Sequence, residues 1–454
     1  MTLTSRTLKH QKWVWPLASF TAFYALCFFP FAYFRHDDWL MLGNAVLRTP
    51  QNWLSLFSAT WWSGGVEHVW FFRPLFKLAY FIGFTLFGFQ YWLWLTASLG
   101  LLLASLVFAK KTIDFETKNP EVSLFFLWLF VGFVPWHFGS VIWAGEGWMN
   151  IPAVFLLTLS TYYLSQSCAS KKMDRLAVGK SCFFFFLALG FKESSVFQIV
   201  FLFAFCLRRE GKWMGFPHRL IPHIAITILY LIPRLFLIPL NHGYRPELSH
   251  ALPSLLFFSG MIGLPTIALL VQFGLKWNRL FTFKSWASLF WWLFLLITIA
   301  PHIGHPFFSP GWLLYPGFFW AFALALSVDK FEAFRLQLKP WMLLIPLCIL
   351  SLGMRLNQEK WWLWSSAGKE MFQIIQDAPT LGYENIRIRE CSLKALNFNR
   401  IVGYPDGLSD LSEILHGTPI DIQTVHCTTI PSRHTNTLWL DWQFPLLEKS
   451  EYLN

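Results

Sequence analysis

Residues 13–34 read WVWPLASFTAFYALCFFPFAYF, and the next five residues, 35–39, read RHDDW. An apolar run of this length matches the about 20 residues that a transmembrane helix needs. It is too long for the apolar region of a signal peptide, and no small-residue cleavage site follows it. Arg6, Lys9 and Lys12 precede the run. Because Lys and Arg prefer the cytoplasmic side, the pattern predicts a retained first helix that runs outward and places residues 35–39 just outside the membrane.

The whole chain has the composition of a membrane protein. Of its 454 residues, 55% are hydrophobic and only 13% are charged, whereas soluble proteins carry about 25% charged residues. Aromatic side chains gather at lipid interfaces. The 50 Phe and 26 Trp residues therefore also indicate a membrane protein. We attribute the net charge of +11 to basic loops that set topology, and we expect no nucleic acid partner. A multi-pass protein of the cell membrane is predicted, and its compact loops suit a bacterial inner membrane.

Basic clusters alternate with the apolar runs and predict the topology. Lys110-Lys111 and Lys171-Lys172 mark two cytoplasmic turns. Applied along the chain, the charge rule predicts about eleven transmembrane helices, with the N-terminus inside and the C-terminus outside. Residues 40–90 are predicted to form an extracytoplasmic loop with interfacial helices. The predicted spans cover residues 13–34, 91–109, 122–141, 151–164, 182–191, 196–207, 221–240, 255–275, 286–300, 313–327 and 341–352.

The last part of the chain differs in composition from the rest. Residues 354–454 resemble a soluble domain, with strand-like stretches separated by Gly and Pro turns. The predicted strands are Ile386–Arg389, Ile420–Val425 and Leu438–Trp442. We therefore predict an all-α polytopic catalytic domain over residues 1–353 and a small extracytoplasmic α/β domain over residues 354–454. In an extracytoplasmic domain Cys391 and Cys427 could pair, although sequence alone does not establish the pairing.

With this topology, the ionisable residues collect at the outer ends of the spans. Such groups are costly near membrane depth and tend to line functional cavities. The ends of spans are often polar in any case, but Lys192-Glu193 interrupts apolar sequence and Asp37-Asp38 directly follows it. The candidate catalytic residues are Asp37 and Asp38. The candidate substrate-binding residues are Arg35, His36, Arg73, Glu146, Lys192, Glu193, Arg245, His302 and His305.

These residue types suit one reaction in particular. A carboxylate can take the proton of an acceptor hydroxyl as that hydroxyl attacks the anomeric carbon of a sugar. Cations nearby can bind a departing phosphate and offset its charge. Alternatively, Asp37 and Asp38, together with Glu146, could hold a divalent cation through oxygen ligands.

Other kinds of site are weakly indicated or not indicated. His302 and His305 have a spacing that could chelate a metal on a helix, but Gly304 and Pro306 favour loop histidines that donate hydrogen bonds. The sequence has no glycine-rich phosphate loop, no GxSxG and no nucleophilic triad, so nucleotide-dependent chemistry is not supported.

The order of these features resembles the GT-C superfamily of membrane glycosyltransferases, which includes protein O-mannosyltransferases and lipid A aminoarabinose transferases. The similar stretches are the acidic pair after the first span, Phe72–Leu75 with Phe84–Gly88, and Leu187–Ser194. The resemblance implies inverting transfer from a polyprenyl-phosphate-linked sugar, with Asp37 or Asp38 as the acid/base and Arg73 and Lys192 near the lipid phosphate. This chain departs from the family in having Asp-Asp-Trp instead of Asp-Glu, and Glu146 matches by position alone.

Other functions fit parts of the pattern. A transporter or flippase of lipid-linked sugars would place polar groups near the bilayer midplane, often in paired halves, which we do not find. An O-antigen ligase or polymerase would need a large outer loop with Arg and His, and a non-catalytic scaffold would tolerate loss of both aspartates. The expected partners are the lipid bilayer, a polyprenyl-phosphate sugar donor, and an extracytoplasmic glycan, lipid or protein acceptor. The sugar, the acceptor and the prenyl chain stay open.

Overall fold

A computed structural model describes the chain over residues 3–34, 37–48, 53–57, 73–133, 136–169, 173–210, 218–237, 248–272, 286–303, 310–328, 363–390, 398, 402, 405–426, 428–429, 436–443 and 446–449. This part of the chain is mostly helical, with one small sheet near the C-terminus. The α-helices are α1 Leu3–Cys27, α2 Asp37–Gly43, α3 Pro74–Phe87, α4 Tyr91–Thr117, α5 Pro120–Gly132, α6 Phe138–Ile142, α7 Ala144–Ala169, α8 Arg175–Leu189, α9 Gln198–Glu210, α10 Ile221–Leu237, α11 Leu248–Gln272, α12 Trp286–Ile299, α13 Leu314–Val328, α14 over residues 363–377, and α15 Pro405–His416.

Short helical turns extend or connect these helices. A π-helical turn, Asn44–Arg48, continues α2. The 3₁₀ turns are Phe29–Phe31, Trp53–Phe57, Glu193–Phe197, His218–Leu220, Ala300–His302, Pro310–Leu313 and Pro379–Leu381.

Two described helical segments, Trp13–Phe31 and Tyr91–Thr117, are long and apolar enough to cross a membrane. The other apolar helices are shorter, so the predicted count of about eleven spans stays a prediction. The predicted span 122–141 is divided into α5 and α6, and the sequence has Pro135, which lacks the N–H that a continuous helix needs, between them. The predicted last span, 341–352, lies outside the described residues.

The three predicted strands are confirmed. They are β1 Asn385–Glu390, β2 Asp421–His426 and β3 Thr437–Gln443, and β4 Leu446–Lys449 adds an unpredicted fourth strand. The strand order is β2-β1-β3-β4, with β1 parallel to β2 and β3, and β4 antiparallel to β3. Parallel neighbours require a crossover, and α15 lies between β1 and β2 in the chain. The result is the small α/β arrangement that the sequence predicted.

The chain divides into two compact units, and each unit combines three segments that are separate in the sequence. The first unit contains residues 1–24, 97–141 and 146–351, and the second contains residues 25–96, 142–145 and 352–454. The predicted organisation into residues 1–353 and 354–454 stays a prediction. In the second unit, the C-terminal sheet and α15 fold together with the segment that carries the acidic pair.

Aromatic side chains form much of the core of the first unit. The ring of Phe201 lies 5.0 Å from that of Phe319 and 5.5 Å from that of Phe294 in edge-on contacts. These contacts join α9, α12 and α13. A side chain at Gly317 would place its Cβ 2.5 Å from Cγ of Trp136, so glycine is required for this packing.

Candidate active site

Asp38 is the fully buried member of the acidic pair. Its Oδ1 atom accepts hydrogen bonds from the hydroxyl of Tyr80, over 3.0 Å, and from the backbone N–H of Gly145, over 2.7 Å. Asp38 lies in the first turn of α2, where the positive end of the helix dipole favours carboxylates. The site therefore holds this carboxylate by groups from two other parts of the second unit.

Gly145 is glycine because Asp38 approaches it closely. A Cβ at this position would lie 2.9 Å from Oδ1 of Asp38 and 3.1 Å from Sδ of Met41. The hydroxyl of Tyr91 fixes the neighbouring backbone, since it donates to the carbonyl of Ile142 and accepts from the N–H of Ala144. The N–H of Gly145 is thus aimed at Asp38 by a tightly constrained segment.

Asp37, the neighbouring carboxylate, is half-buried, whereas Asp38 is completely buried. Asp37 is therefore the more accessible of the two to a substrate. Arg35 and His36, which we predicted to bind substrate, lie outside the described residues, as do Arg245 and His305.

Arg73 and Lys77 place two basic side chains at the start of α3, and burial lowers the pKa of the Lys77 amine to about 7. Arg73 precedes the helix, Pro74 occupies its first turn, and both basic side chains are buried. Proline suits this position because its missing N–H would have no helical partner there. Lys77 and Tyr80 are three residues apart within α3 and so share one face of the helix. Tyr80 on that face donates to Asp38, which links α3 to the acidic pair.

Lys77 was not predicted from the sequence as a site residue. Its side chain is only 1% exposed. The signal was its spacing from Arg73, which repeats the helical period within an apolar segment. A lysine so completely buried is costly unless it is paired or serves a function.

A second polar cluster lies in the first unit. Nδ2 of Asn150 donates to Oε2 of Glu146 over 2.6 Å, and Nζ of Lys192 donates to Oδ1 of Asn150. Asn150 also donates to Oγ of Ser140 over 3.3 Å. All four side chains are buried. The neutral amide of Asn150 therefore links an acid and a base that we had predicted independently. Asn150 was not predicted, although its position four residues after Glu146 on a helix is a usable signal.

The position of Glu146 corrects one prediction. Residues 145–148 were expected to form an outer loop before a span at 151–164, but α7 already begins at Ala144. Gly147 lets this helix pack closely, because a Cβ at this position would lie 2.4 Å from the carbonyl oxygen of Ser140. The bounds of the predicted spans came from the charge pattern, which does not show where a helix begins.

At Lys192 and Glu193 the backbone changes from helical to extended and then enters a 3₁₀ turn. The predicted spans 182–191 and 196–207 correspond to α8 and α9, and Lys192 between them has an extended conformation. Glu193 is half-buried and begins the turn Glu193–Phe197. The backbone N–H of Lys192 donates to the carbonyl of Ala188, which fixes the start of the lysine side chain.

His302 belongs to the first unit and ends the turn Ala300–His302. Its ring stacks on Trp312 at a centroid distance of 4.4 Å and an angle of 18°. The predicted pairing with His305 falls outside the described residues.

The divalent-cation hypothesis finds no support. Within the described ranges, no three His, Cys, Asp or Glu side chains are arranged to hold a metal ion. Asp37, Asp38 and Glu146 were the predicted ligands, and Oδ1 of Asp38 already accepts two hydrogen bonds. We therefore derive no step through a metal.

Comparison with known proteins gives no family assignment. No family model matches the chain, and no curated protein or solved structure matches it. The resemblance to the GT-C superfamily stays a prediction.

Proposed function

We propose that this protein is an integral membrane glycosyltransferase of GT-C type. It would transfer a sugar from a polyprenyl-phosphate donor to an extracytoplasmic acceptor with inversion of configuration. The observation that carries the proposal is the arrangement around Asp38, a buried carboxylate held by Tyr80 and Gly145. Asp37 beside it is half-buried, and α3, which carries Tyr80, starts next to the buried basic side chains of Arg73 and Lys77.

The distribution of apolar surface supports a membrane location. Large apolar side chains are exposed on several helices, including Phe186 at 58%, Leu229 at 68% and Leu296 at 61%. Such exposure is costly in water and favourable in lipid. We include in the proposal the fold of about eleven transmembrane helices, with a cytoplasmic N-terminus and an extracytoplasmic C-terminal domain.

Asp37 is the residue that we propose as the catalytic base. It takes the proton from the acceptor hydroxyl while the hydroxyl oxygen forms a bond to the anomeric carbon. The bond between that carbon and the phosphate oxygen breaks on the opposite face, and the electron pair leaves with the lipid phosphate. Asp38 is fully buried and keeps the start of α2 in place.

Arg73 and Lys77 are the cations that we propose for the departing phosphate. Fixed cations in a site with little water stabilise growing negative charge strongly. Lys192 was expected to share this role, and that role stays a prediction because its described partner is Asn150.

The test compares the wild type with Asp37→Asn and Asp38→Asn. Each purified protein is incubated with radiolabelled polyprenyl-phosphate sugars and with membrane extract as the acceptor source, and donor binding is measured separately. Asp406→Asn is a matched control, because Asp406 is an exposed aspartate in the first turn of α15. We expect the wild type and Asp406→Asn to transfer label, and Asp37→Asn to bind donor without transfer.

Two outcomes contradict the proposal. Full transfer by Asp37→Asn, Asp38→Asn and the double variant removes the acidic pair from the mechanism. Donor movement across vesicle membranes without transfer to any acceptor would favour the flippase alternative.

A further inference from the structure

Trp39 connects the acidic pair to the C-terminal part of the second unit. The residue follows Asp38 and is fully buried. Its indole N–H donates to the carbonyl oxygen of Val402 over 3.1 Å. Its ring also stacks on Phe372 of α14, with centroids 6.2 Å apart and planes 13° apart.

Val402 is itself connected to the sheet. Its N–H donates to the carbonyl of Phe398 over 2.8 Å, and the N–H of Phe398 donates to Oε1 of Glu390 over 2.7 Å. Glu390 is the last residue of β1. The ring of Phe398 packs edge-on against Trp442 of β3 at 5.6 Å. A continuous series of hydrogen bonds therefore runs from the end of β1 to the residue next to Asp38.

The other end of α2 also contacts the C-terminal part. At Gly43 a Cβ would lie 2.5 Å from Cβ of Asp410, so α2 and α15 approach each other as closely as glycine allows. Contacts therefore hold α2 at both ends. Seven residues are too few for a helix to be stable alone, so its orientation depends on these contacts.

We infer that the C-terminal residues position the acidic pair, and that Trp39 is the main positioning residue. This inference rests on the proposed transferase function. Trp39 does not touch the reacting atoms. It fixes α2 so that Asp37 meets the acceptor hydroxyl, and a displacement of about 1 Å at such a position can slow a reaction 100-fold.

The decisive variant is Trp39→Phe, which keeps an aromatic ring and removes the N–H. Trp439→Phe is a matched control, because Trp439 is a buried tryptophan of β3 whose indole N–H has no hydrogen-bond partner among the described residues. We expect Trp39→Phe to lower kcat by roughly 10- to 100-fold with donor binding and KM almost unchanged. Trp439→Phe should keep the wild-type kcat. Unchanged kcat in Trp39→Phe, with Asp37→Asn inactive, overturns the inference.

A second pair of variants covers the case in which Trp39→Phe fails to fold. Gly43→Ala pushes α2 away from Asp410, and adding Asp410→Gly removes the atom that blocks it. We expect Gly43→Ala to lower kcat and the double variant to restore part of it. A double variant no better than Gly43→Ala would show that this contact does not set the position of α2.

Hydrogen exchange separates this inference from the proposed function. The indole N–H signal of Trp39 is assigned by its loss in Trp39→Phe, and its exchange with deuterium is followed by NMR. Slow exchange in the wild type that becomes faster in Gly43→Ala supports the hydrogen bond between Trp39 and Val402. This result holds even if no donor yields transfer and the transferase proposal fails. Exchange as fast as that of a free indole overturns the inference whether or not the protein is a transferase.

Discussion

The backbone N–H of Gly145 donates a hydrogen bond to Oδ1 of Asp38, although 107 positions separate the two residues in the chain. The distance of 2.7 Å lies at the short end of the range for N–H···O hydrogen bonds. A main-chain donor cannot rotate away as a side chain can. The carboxylate is therefore held in a fixed direction, as an organised active site requires.

Replacing Gly145 by alanine tests this relationship. The new Cβ would lie 2.9 Å from Oδ1 of Asp38, so either the carboxylate or the start of α7 must move. We expect Gly145→Ala to lower kcat by roughly 10- to 100-fold while donor affinity changes little. Gly100→Ala is the control, since nothing lies within 4 Å of a Cβ at that position. Equal activity of the two variants would show that Asp38 has no fixed geometry to lose.

Tyr80→Phe removes the second donor to Asp38. The hydroxyl is buried, so the carboxylate would lose a hydrogen bond that water cannot easily replace. We expect a loss of about 1–3 kcal/mol in the free energy of unfolding and a lower kcat. Tyr162→Phe is the control, because the hydroxyl of Tyr162 makes no hydrogen bond among the described residues. Thermal unfolding and transfer assays on both variants measure the two effects. Equal stability and equal kcat in Tyr80→Phe and Tyr162→Phe would contradict the role of Tyr80.

Lys77→Met tests the proposed phosphate-binding face. Methionine fills a similar volume without the charge, so packing is largely kept while one cation is removed. We expect donor affinity to fall about 10- to 100-fold, as for loss of a hydrogen bond to a charged group. Donor affinity equal to that of the wild type, measured by equilibrium binding, would remove Lys77 from the phosphate site.

Lys192→Met examines the other predicted cation. The lysine contacts Asn150 in a buried cluster, so its loss leaves polar groups without a partner and should lower thermal stability. The proposed place of Lys192 near the lipid phosphate also predicts weaker donor binding and slower turnover. Reduced stability with unchanged donor affinity would limit Lys192 to holding Asn150 and Glu146 in place.

Glu390 gives a prediction on pH. Burial raises the pKa of its carboxyl above the ordinary value, and the hydrogen bond from Phe398 opposes part of that rise. The folded state therefore holds the proton more tightly than the unfolded state. The resulting stabilisation is complete below the unfolded pKa of about 4.3 and is lost as pH rises through the folded pKa.

Glu390→Gln keeps an acceptor oxygen and cannot lose a proton. We expect its stability advantage over the wild type to be larger at about pH 8 than at about pH 4, as measured by thermal unfolding. Glu413→Gln on α15 serves as the control. A constant difference between Glu390→Gln and the wild type at both pH values would contradict the raised pKa.

The sequence predicted the local features of the fold well. Strand-like stretches between Gly and Pro turns identified the first three strands, whereas the site roles of the acidic pair and Arg73 stay predictions. Contacts between distant segments could not be predicted. Nothing near Asp38 in the sequence points to Gly145, and nothing near Trp39 points to Val402, because these pairs depend on the folded chain.

The bond between Trp39 and Val402 also constrains biosynthesis. The two residues are 363 positions apart, so at about 5–20 residues per second the ribosome needs roughly 20–70 s to make the second after the first. During that interval α2 has left the ribosome without the partner that orients it. A chain released early would contain both aspartates, Arg73 and Lys77 but would lack the contacts that hold α2. A chain that ends before Val402 therefore cannot orient α2 through Trp39.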